Sequence, residues 1–178
     1  MIHLPKNRSK VGPRAVLLRY DVAMKRSAGI LLYQVVEGEL RVLLAHPGGP
    51  LWARKDEGVW TIPKGEFGDD EPAAEAAKRE FFEETGTRCR GELIALAPIR
   101  QKSGKLVYGF ACRGHLDPST IVSNTFEMEW PPKSGKRALF PEVDRVEWMS
   151  VATALEKINP AQRPLIVELA QTLGLPDR

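Results

Sequence analysis

The sequence predicts a single α/β domain, because apolar runs of strand length alternate with stretches of helical pattern and no linker or repeat divides them. The chain has 178 residues, of which 43% are hydrophobic and 28% are charged. This is the size and composition of one globular domain rather than of a disordered or membrane-spanning chain. No apolar run approaches the ~20 residues of a membrane-spanning helix, so we expect no membrane partner.

The strands are predicted from apolar runs that end at turn residues. Six such runs are Ala28–Val35, Leu40–His46, Val59–Pro63, Leu93–Gln101, Leu106–His115 and Val143–Met149. Glu37-Gly38-Glu39 and Lys102-Ser103-Gly104 are turn signals between neighbouring runs, and each predicts a hairpin.

A central helix is predicted to begin at Asp70 or Glu71 and to end at Gly86. Acidic residues favour the N-terminal end of a helix, and glycine commonly follows its C-terminal end. Its expected apolar stripe consists of Ala74, Ala77, Phe81 and Phe82. Two further helices are predicted over Val151–Ile158 and Ala161–Leu173.

Residues 1–23 are predicted to be a basic extension before a domain over residues 24–178. The chain has 26 Lys and Arg and 23 Asp and Glu, and the extension holds five of the former and one of the latter. The domain is left with a net charge of −1, which argues against a nucleic-acid footprint spread over it. The extension lacks the apolar stretch of a signal peptide. A solvated arm, an edge strand over Ala15–Tyr20 and an upstream start all remain open for it.

The two cysteines, Cys89 and Cys112, show no metal-binding spacing. We therefore expect buried free thiols in a reducing compartment. Together with the missing signal peptide, this predicts a cytoplasmic location.

Three glutamates of the predicted helix stand at positions i, i+3 and i+4: Glu80, Glu83 and Glu84. At about 100° per residue, this spacing places the carboxylates in one arc of the helix surface. Like charges at this spacing repel by roughly 0.2–0.5 kcal/mol per pair, so they add little to folding unless a cation binds there. Carboxylate oxygens suit a hard divalent cation. Ala73 and Ala76 are expected on the same side, which would leave the surface approachable.

The segment around these glutamates resembles the signature of the Nudix (MutT-type) hydrolases. The matching positions are Gly65, Glu71, Arg79, Glu80, Phe81, Glu83, Glu84 and Gly86, preceded by Trp60-Thr61-Ile62-Pro63-Lys64. Thr87 departs from the usual aliphatic residue, which affects local packing and no catalytic role. The resemblance implies an α/β/α sandwich with a central mixed sheet and a loop–helix–loop catalytic motif. The family's order of elements can be followed from about Ala28 to Leu173.

The resemblance also implies a hydrolase that cleaves a phosphoanhydride bond with Mg²⁺, or with Mn²⁺ in its place. The implied metal ligands are Glu80, Glu83, Glu84 and the carbonyl of Gly65. The metals would bridge phosphate oxygens and lower the pKa of a bound water. Glu84 is our first choice for the general base, followed by Glu83 and then by a residue outside the helix. Arg79 is implied to pair with acids of the motif and to fix their rotamers, with Glu71 as a partner.

The stretch from Asp117 to Pro141 is long and has no clear periodicity, which is typical of a functional loop or insertion. Glu142 precedes Trp148 by six residues, as a loop acid does in the diadenosine-polyphosphate branch of the family. This makes Glu142 a candidate metal ligand or base. Weaker alternatives are Glu127, Glu129 and Asp144.

The candidate substrate-binding residues are Lys64, Trp130, Lys133, Lys136 and Arg137. Trp52 and Trp60 are open between core packing and stacking on a base, with the core favoured for Trp60.

Dinucleoside polyphosphates or nucleoside triphosphates are the expected substrates, since Ser27-Ala28-Gly29 and the Glu142 spacing resemble that branch. Nucleotide sugars, ADP-ribose, the 5′ pyrophosphate of RNA and inositol pyrophosphates remain open. Lys102-Ser103-Gly104-Lys105 stands where known substrate classes carry tyrosine or proline. Two other functions also remain open: a catalytically silent Nudix nucleotide-binding module, and a nucleic-acid-binding protein that acts through the basic extension.

Overall fold

Residues 25–176 are described by the computed structural model of the chain. The basic extension, with the strand considered over Ala15–Tyr20, therefore lies outside the described residues. The strands are β1 (Arg26–Val36), β2 (Glu39–Pro47), β3 (Lys64–Glu66), β4 (Leu93–Ala95), β5 (Ile99–Arg100), β6 (Leu106–Arg113), β7 (Thr125–Glu129), β8 (Arg137–Pro141) and β9 (Val143–Ser150). The helices are α1 (Ala73–Thr85), α2 (Val151–Lys157) and α3 (Arg163–Thr172).

Seven strands form one mixed sheet whose central order is β4-β6-β1-β2-β9. β1 runs parallel to β6, with Ile30 opposite Phe110. β1 and β2 form the predicted antiparallel hairpin, and β9 pairs antiparallel with β2. The short strands β3 and β5 pair with β1 and β6. The expectation of a central mixed sheet is therefore confirmed.

Helices cover both faces of this sheet because its central strands are apolar on both sides. On one face, Ile30 and Leu32 of β1 pack in one buried cluster with Ala77 and Phe81 of α1. On the other face, Leu31 packs with buried residues of α2 and α3: Ala154, Leu165, Ile166 and Leu169. The α/β/α sandwich is thus confirmed. Within residues 25–176, no helix combines the length and the apolar character needed to cross a membrane.

Two predicted strands differ from the structure because their pairing depends on distant partners. Val59–Pro63 is not a regular strand: Thr61 makes an isolated bridge with Ala45, and β3 begins only at Lys64. The run Leu93–Gln101 is divided into β4 and β5. Pro98 lies in the gap, and proline has no N–H to donate to a neighbouring strand.

Residues 117–141 contain a hairpin where the sequence suggested an irregular loop. β7 and β8 pair antiparallel, from Thr125 opposite Pro141 at the base to Glu129 opposite Arg137 at the outer end. Exposure alternates along β7 with the period of two that a strand imposes. Strand β7 therefore has one apolar and one polar side.

Cys89 and Cys112 form a disulfide, so the expectation of free thiols is wrong. Cys112 lies on β6 in the buried cluster beneath α1, and Cys89 follows the end of that helix. The chain returning from α1 therefore brings the two sulfurs together. The two cysteines are 23 residues apart in the sequence, and this spacing alone does not indicate that they pair. The expected cytoplasmic location loses the support of reduced cysteines.

Reducing the disulfide is expected to lower the free energy of unfolding by about 3 kcal/mol, because a cross-link over a loop of this length restricts the unfolded chain. Urea unfolding with and without dithiothreitol measures the difference. Cys89→Ser is the control and should unfold at one urea concentration under both conditions. Equal midpoints for the unaltered protein under both conditions would contradict the cross-link.

Candidate active site

Helix α1 presents the three glutamates because other positions on it are fixed in the core. Ala77 and Phe81 are fully buried against the sheet. Gly86 ends the helix with a φ of 73°, and its N–H donates to the carbonyl four residues earlier at 2.7 Å. The helix begins at Ala73, later than expected, because the extended backbone of Pro72 serves as its N-cap.

Two expectations for the surface of α1 are wrong, because the helix turns the side that carries Ala76, rather than the side that carries Phe82, toward the sheet. Ala76, expected on an approachable surface, is fully buried. Phe82, expected in the apolar stripe, is 41% exposed, and the guanidinium of Arg88 lies 4.7 Å from its ring centroid. The same orientation makes Glu80 the most buried of the three glutamates, with 8% of its surface exposed.

Strand β3 lies so close to α1 that the carboxylate of Glu80 packs against Gly65. A Cβ on Gly65 would lie 1.8 Å from Oε2 of Glu80, so any side chain there would displace this carboxylate from its position. The preceding residue, Lys64, donates its backbone N–H to Oε2 of Glu84 at 3.0 Å. Two of the three carboxylates are therefore packed on the backbone of one short strand.

Arg79 joins the acids of the helix to the loop before it. Its Nε and Nη2 donate to the two oxygens of Glu71, each at 2.9 Å. Its Nη1 donates to Glu80 and, at 3.3 Å, to Glu83. A guanidinium can make these bonds together because its donors form a rigid planar fork. The structure thus brings together Arg79, its expected partner Glu71 and two of the predicted metal ligands.

The acidic cluster, by which we mean Glu80, Glu83, Glu84 and Glu142, contains two carboxyl groups whose pKa is raised by burial. Burial raises the pKa of Glu84 to about 8, although the nearby Lys64 favours the charged carboxylate. Burial likewise raises the pKa of Glu80, against the opposing effect of Arg79. The pKa of Lys64 is lowered, again chiefly by burial. A bound cation would favour the ionised carboxylates that burial disfavours.

Glu142 reaches the cluster through the base of the β7–β8 hairpin. Its N–H donates to the carbonyl of Asn124 at 2.8 Å, and the N–H of Asn124 donates to the carbonyl of Glu83 at 2.9 Å. In addition to burial, the charge of Glu142 raises the pKa of Glu80 and of Glu84. The acid proposed from outside the helix therefore lies beside the helix acids.

The structure does not bring the cations of the hairpin turn to the acidic cluster. Lys133 and Lys136 lie exposed in that turn, and the N–H of Trp130 donates to the carbonyl of Lys136 at 2.9 Å. β8 has five residues, which span about 16 Å in a strand. The turn therefore stands far from Glu142, and the predicted substrate contacts of these three residues stay predictions.

The remaining hairpin residues and the weaker acidic alternatives are engaged in local contacts. Arg137, a predicted substrate-binding residue, pairs with Glu127 across the hairpin at 2.6 Å. The carboxylate of Glu129 accepts the N–H of Gly135 at 2.8 Å. Asp144 contacts Nδ1 of a buried histidine at 2.8 Å. These contacts give each acid a structural partner outside the acidic cluster.

The donors of the acidic cluster fit a hard divalent cation by their chemistry, since all are oxygens. Within residues 25–176, however, no three His, Cys, Asp or Glu side chains converge closely enough to hold an ion. Glu80 and Glu83 turn toward Arg79, and Glu84 bonds the N–H of Lys64. Cation binding therefore requires these carboxylates to change partners.

Sequence reasoning missed the loop after β2. His46 is fully buried, and its Nδ1 and Nε2 contact Asp144 Oδ1 and the carbonyl of Lys55, each at 2.8 Å. The N–H of Gly48 donates to the carbonyl of Glu142 at 2.9 Å. The signal available was His46-Pro47-Gly48-Gly49-Pro50, because glycines permit the close backbone approach seen here.

Comparison with known proteins places the chain in a family. It matches the profile described as NUDIX domain over residues 24–169. It is 28% identical to an RNA pyrophosphohydrolase of Bartonella henselae, over 78% of this chain and 83% of that protein. It is 34% identical to an octanoyltransferase of Myxococcus xanthus over 70% of this chain, but it spans only 31% of that protein's length.

The fold of this chain is also similar to that of a solved structure. A crystal structure of an Ap4A hydrolase from C. elegans in a binary complex is 20% identical and superposes with a TM-score of 0.56. The match covers 85% of this chain and 98% of that one, and at this identity it shows a shared fold. Because the profile match extends over most of the sequence, the chain belongs to the NUDIX domain family.

Proposed function

We propose that this protein hydrolyses a phosphoanhydride bond of a nucleoside polyphosphate with Mg²⁺, or with Mn²⁺ in its place. The acidic cluster carries the proposal: three helix carboxylates packed on β3 and Arg79 are joined by Glu142 from the hairpin. Gathering four carboxylates, two of them with raised pKa values, is unfavourable for folding alone. Such a cluster becomes favourable when a cation and a phosphate chain share the site.

The helix acids of the cluster and the residues around them have different roles in the proposed reaction. The cation would be held by Glu80, Glu83, Glu84 and the carbonyl of Gly65. Bound there, it supplies charge neutralisation at phosphate oxygens and a water of lowered pKa. Before the cation binds, Arg79 holds Glu80 and Glu83 together despite their like charge. Lys64 lies beside Glu84 and can offer its ammonium to a phosphate oxygen.

We assign the general base to Glu84. Its carboxylate is positioned by the backbone N–H of Lys64 at 3.0 Å rather than by an ion pair with Arg79, so it stays available to take a proton from water. Glu83, the second choice on the helix, is bonded to Arg79. Glu142 is the alternative from outside the helix, since it is exposed and lies in the same cluster.

Dinucleoside polyphosphates and nucleoside triphosphates remain the first substrate class. The similarity to the Bartonella henselae RNA pyrophosphohydrolase, which extends over 83% of that protein, favours the 5′ pyrophosphate end of RNA as a second class. Both classes present a phosphoanhydride next to a nucleoside. In our proposal, the acidic cluster acts on this shared phosphoanhydride.

A screen in which the hydrolysis products are separated by ion-exchange chromatography tests the proposed function. It compares a dinucleoside tetraphosphate, ATP, a 5′-triphosphorylated RNA and ADP-ribose, with Mg²⁺ and with EDTA. We expect hydrolysis of at least one of the first three, and we expect EDTA to abolish it because the carboxylates alone do not neutralise phosphate charge. Nucleotide binding without any hydrolysis would contradict the proposal and indicate a binding module.

Glu84→Gln is expected to lower kcat by about 10²-fold or more, because glutamine still accepts the N–H of Lys64 but takes up no proton and neutralises no cation. Glu75→Gln is the matched control: Glu75 lies on the exposed side of the same helix and pairs with Lys78 at 3.0 Å. It should keep the kcat of the unaltered protein. Equal kcat values for Glu84→Gln and the unaltered protein would exclude the assignment.

Glu142→Gln is expected to shift the acidic limb of the pH–rate profile to lower pH. The charge of Glu142 helps to raise the pKa of Glu84, so its removal lowers that pKa and leaves the base ionised at lower pH. Glu156→Gln, on exposed α2 surface, should leave the limb in place. If Glu142→Gln instead loses as much activity as Glu84→Gln without any shift, Glu142 is the base and our assignment is wrong.

A further inference from the structure

An apolar pocket lies between the loop after β2 and the β7–β8 hairpin. It has a volume of about 160 Å³, and the residues that line it are Gly48, Gly49, Leu51, Trp52, Phe126 and Met128. Phe126 and Met128 both face it because alternate residues of a strand point to the same side. Leu51 and Trp52 are 55% and 37% exposed. Large apolar side chains exposed around a concavity are typical of a binding site.

The loop that carries Trp52 is held in place by the buried core. The N–H of Trp52 donates to the carbonyl of Gly49 at 3.2 Å, and the N–H of Lys55 donates to the carbonyl of Trp52 at 2.8 Å. The carbonyl of Lys55 is in turn bonded by the buried ring of His46. The ammonium of Lys55 lies 4.6 Å from the ring centroid of Trp52. The tryptophan is therefore positioned before any ligand arrives, which limits the entropy lost on binding.

The pocket wall is continuous with the acidic cluster. The N–H of Gly48 donates to the carbonyl of Glu142 at 2.9 Å. A Cβ on Gly48 would lie 1.9 Å from the carbonyl oxygen of Pro141, so the loop and the hairpin touch through their backbones. Glu142 itself lies beside the catalytic acids. A ligand whose phosphates lie over those acids would have its next portion beside this wall.

The size and the lining of the pocket fit one aromatic ring system. An apolar cavity of about 150 Å³ is known to hold a benzene ring. Stacking of a base on an aromatic side chain contributes about 1–3 kcal/mol and tolerates different bases. Trp52 and Phe126 supply aromatic surfaces, and Met128 supplies a sulfur that packs well against rings.

We propose that this pocket, which we call the base pocket, holds the nucleobase of the nucleotide that the acidic cluster hydrolyses. The proposal rests on the proposed function and adds the part of the substrate that is recognised. Because stacking does not depend on the hydrogen-bonding edge of a base, the pocket would favour nucleosides but would accept several different bases. A phosphate chain without a base gains nothing from the pocket.

The test compares Trp52→Ala with Trp52→Phe and Leu139→Ala. Leu139 is 68% exposed on β8, in the same hairpin, and does not line the pocket. For the best nucleotide of the screen, Trp52→Ala should raise KM roughly 5- to 160-fold, the scale of one lost base stack. Trp52→Phe should restore most of the affinity, and Leu139→Ala should not change KM. The inhibition constant of inorganic tripolyphosphate, which has no base, should be the same in all variants.

Direct binding separates this proposal from the proposed function. Equilibrium binding of adenosine, which carries the base without a phosphate, is measured for the unaltered protein, Trp52→Ala and Leu139→Ala. Weaker adenosine binding only in Trp52→Ala supports the base pocket even if no substrate is hydrolysed. If KM and adenosine binding are equal in Trp52→Ala and Leu139→Ala, or the unaltered protein binds no adenosine, the base pocket is wrong, and hydrolysis in the screen leaves the proposed function standing. An equal change in tripolyphosphate inhibition would also overturn it, because the effect would then concern phosphate.

Discussion

The acidic cluster depends on the guanidinium of Arg79. Glu80 and Glu83 repel each other on one side of the helix, and Glu71 stands on a separate loop, yet Arg79 bonds all three. Lysine would bring a comparable charge without the planar fork that reaches these acids together. With Glu80 held in place, the missing side chain of Gly65 lets β3 pack on the helix. The backbone of that strand then satisfies the remaining helix acid.

The helix side of the site was predictable because a helix fixes the directions of its side chains at about 100° per residue. The spacing of the three glutamates was therefore enough to place them together. The hairpin of β1 and β2 was predictable for a similar local reason, since the turn and the apolar runs are adjacent. The disulfide between Cys89 and Cys112 and the isolated bridge at Thr61 were not, because each depends on which distant strand lies alongside.

The β7–β8 hairpin separates its charged turn from its base. Lys133 and Lys136 remain predicted polyphosphate contacts, and a short strand places their turn about 16 Å from the base of the hairpin. The residues of β7 that line the pocket beside the loop after β2 are apolar. Phe126 and Met128 alternate with Glu127 and Glu129, a period of two that indicates a strand with one half-buried side. Five residues were too few to stand out within a polar stretch.

Catalysis and recognition make different demands on the chain. The acids need fixed positions, and a helix packed on a sheet supplies them. A stacked base needs only a flat apolar surface, which a loop held at a few points can offer. The loop that carries Trp52 and the segment that carries Glu142 are connected by the hydrogen bond from the N–H of Gly48 to the carbonyl of Glu142. The hydrogen bonds that hold the loop around Trp52 therefore also restrain the backbone of Glu142, so on the proposed function one fixed loop positions both the base and an acid of the cluster.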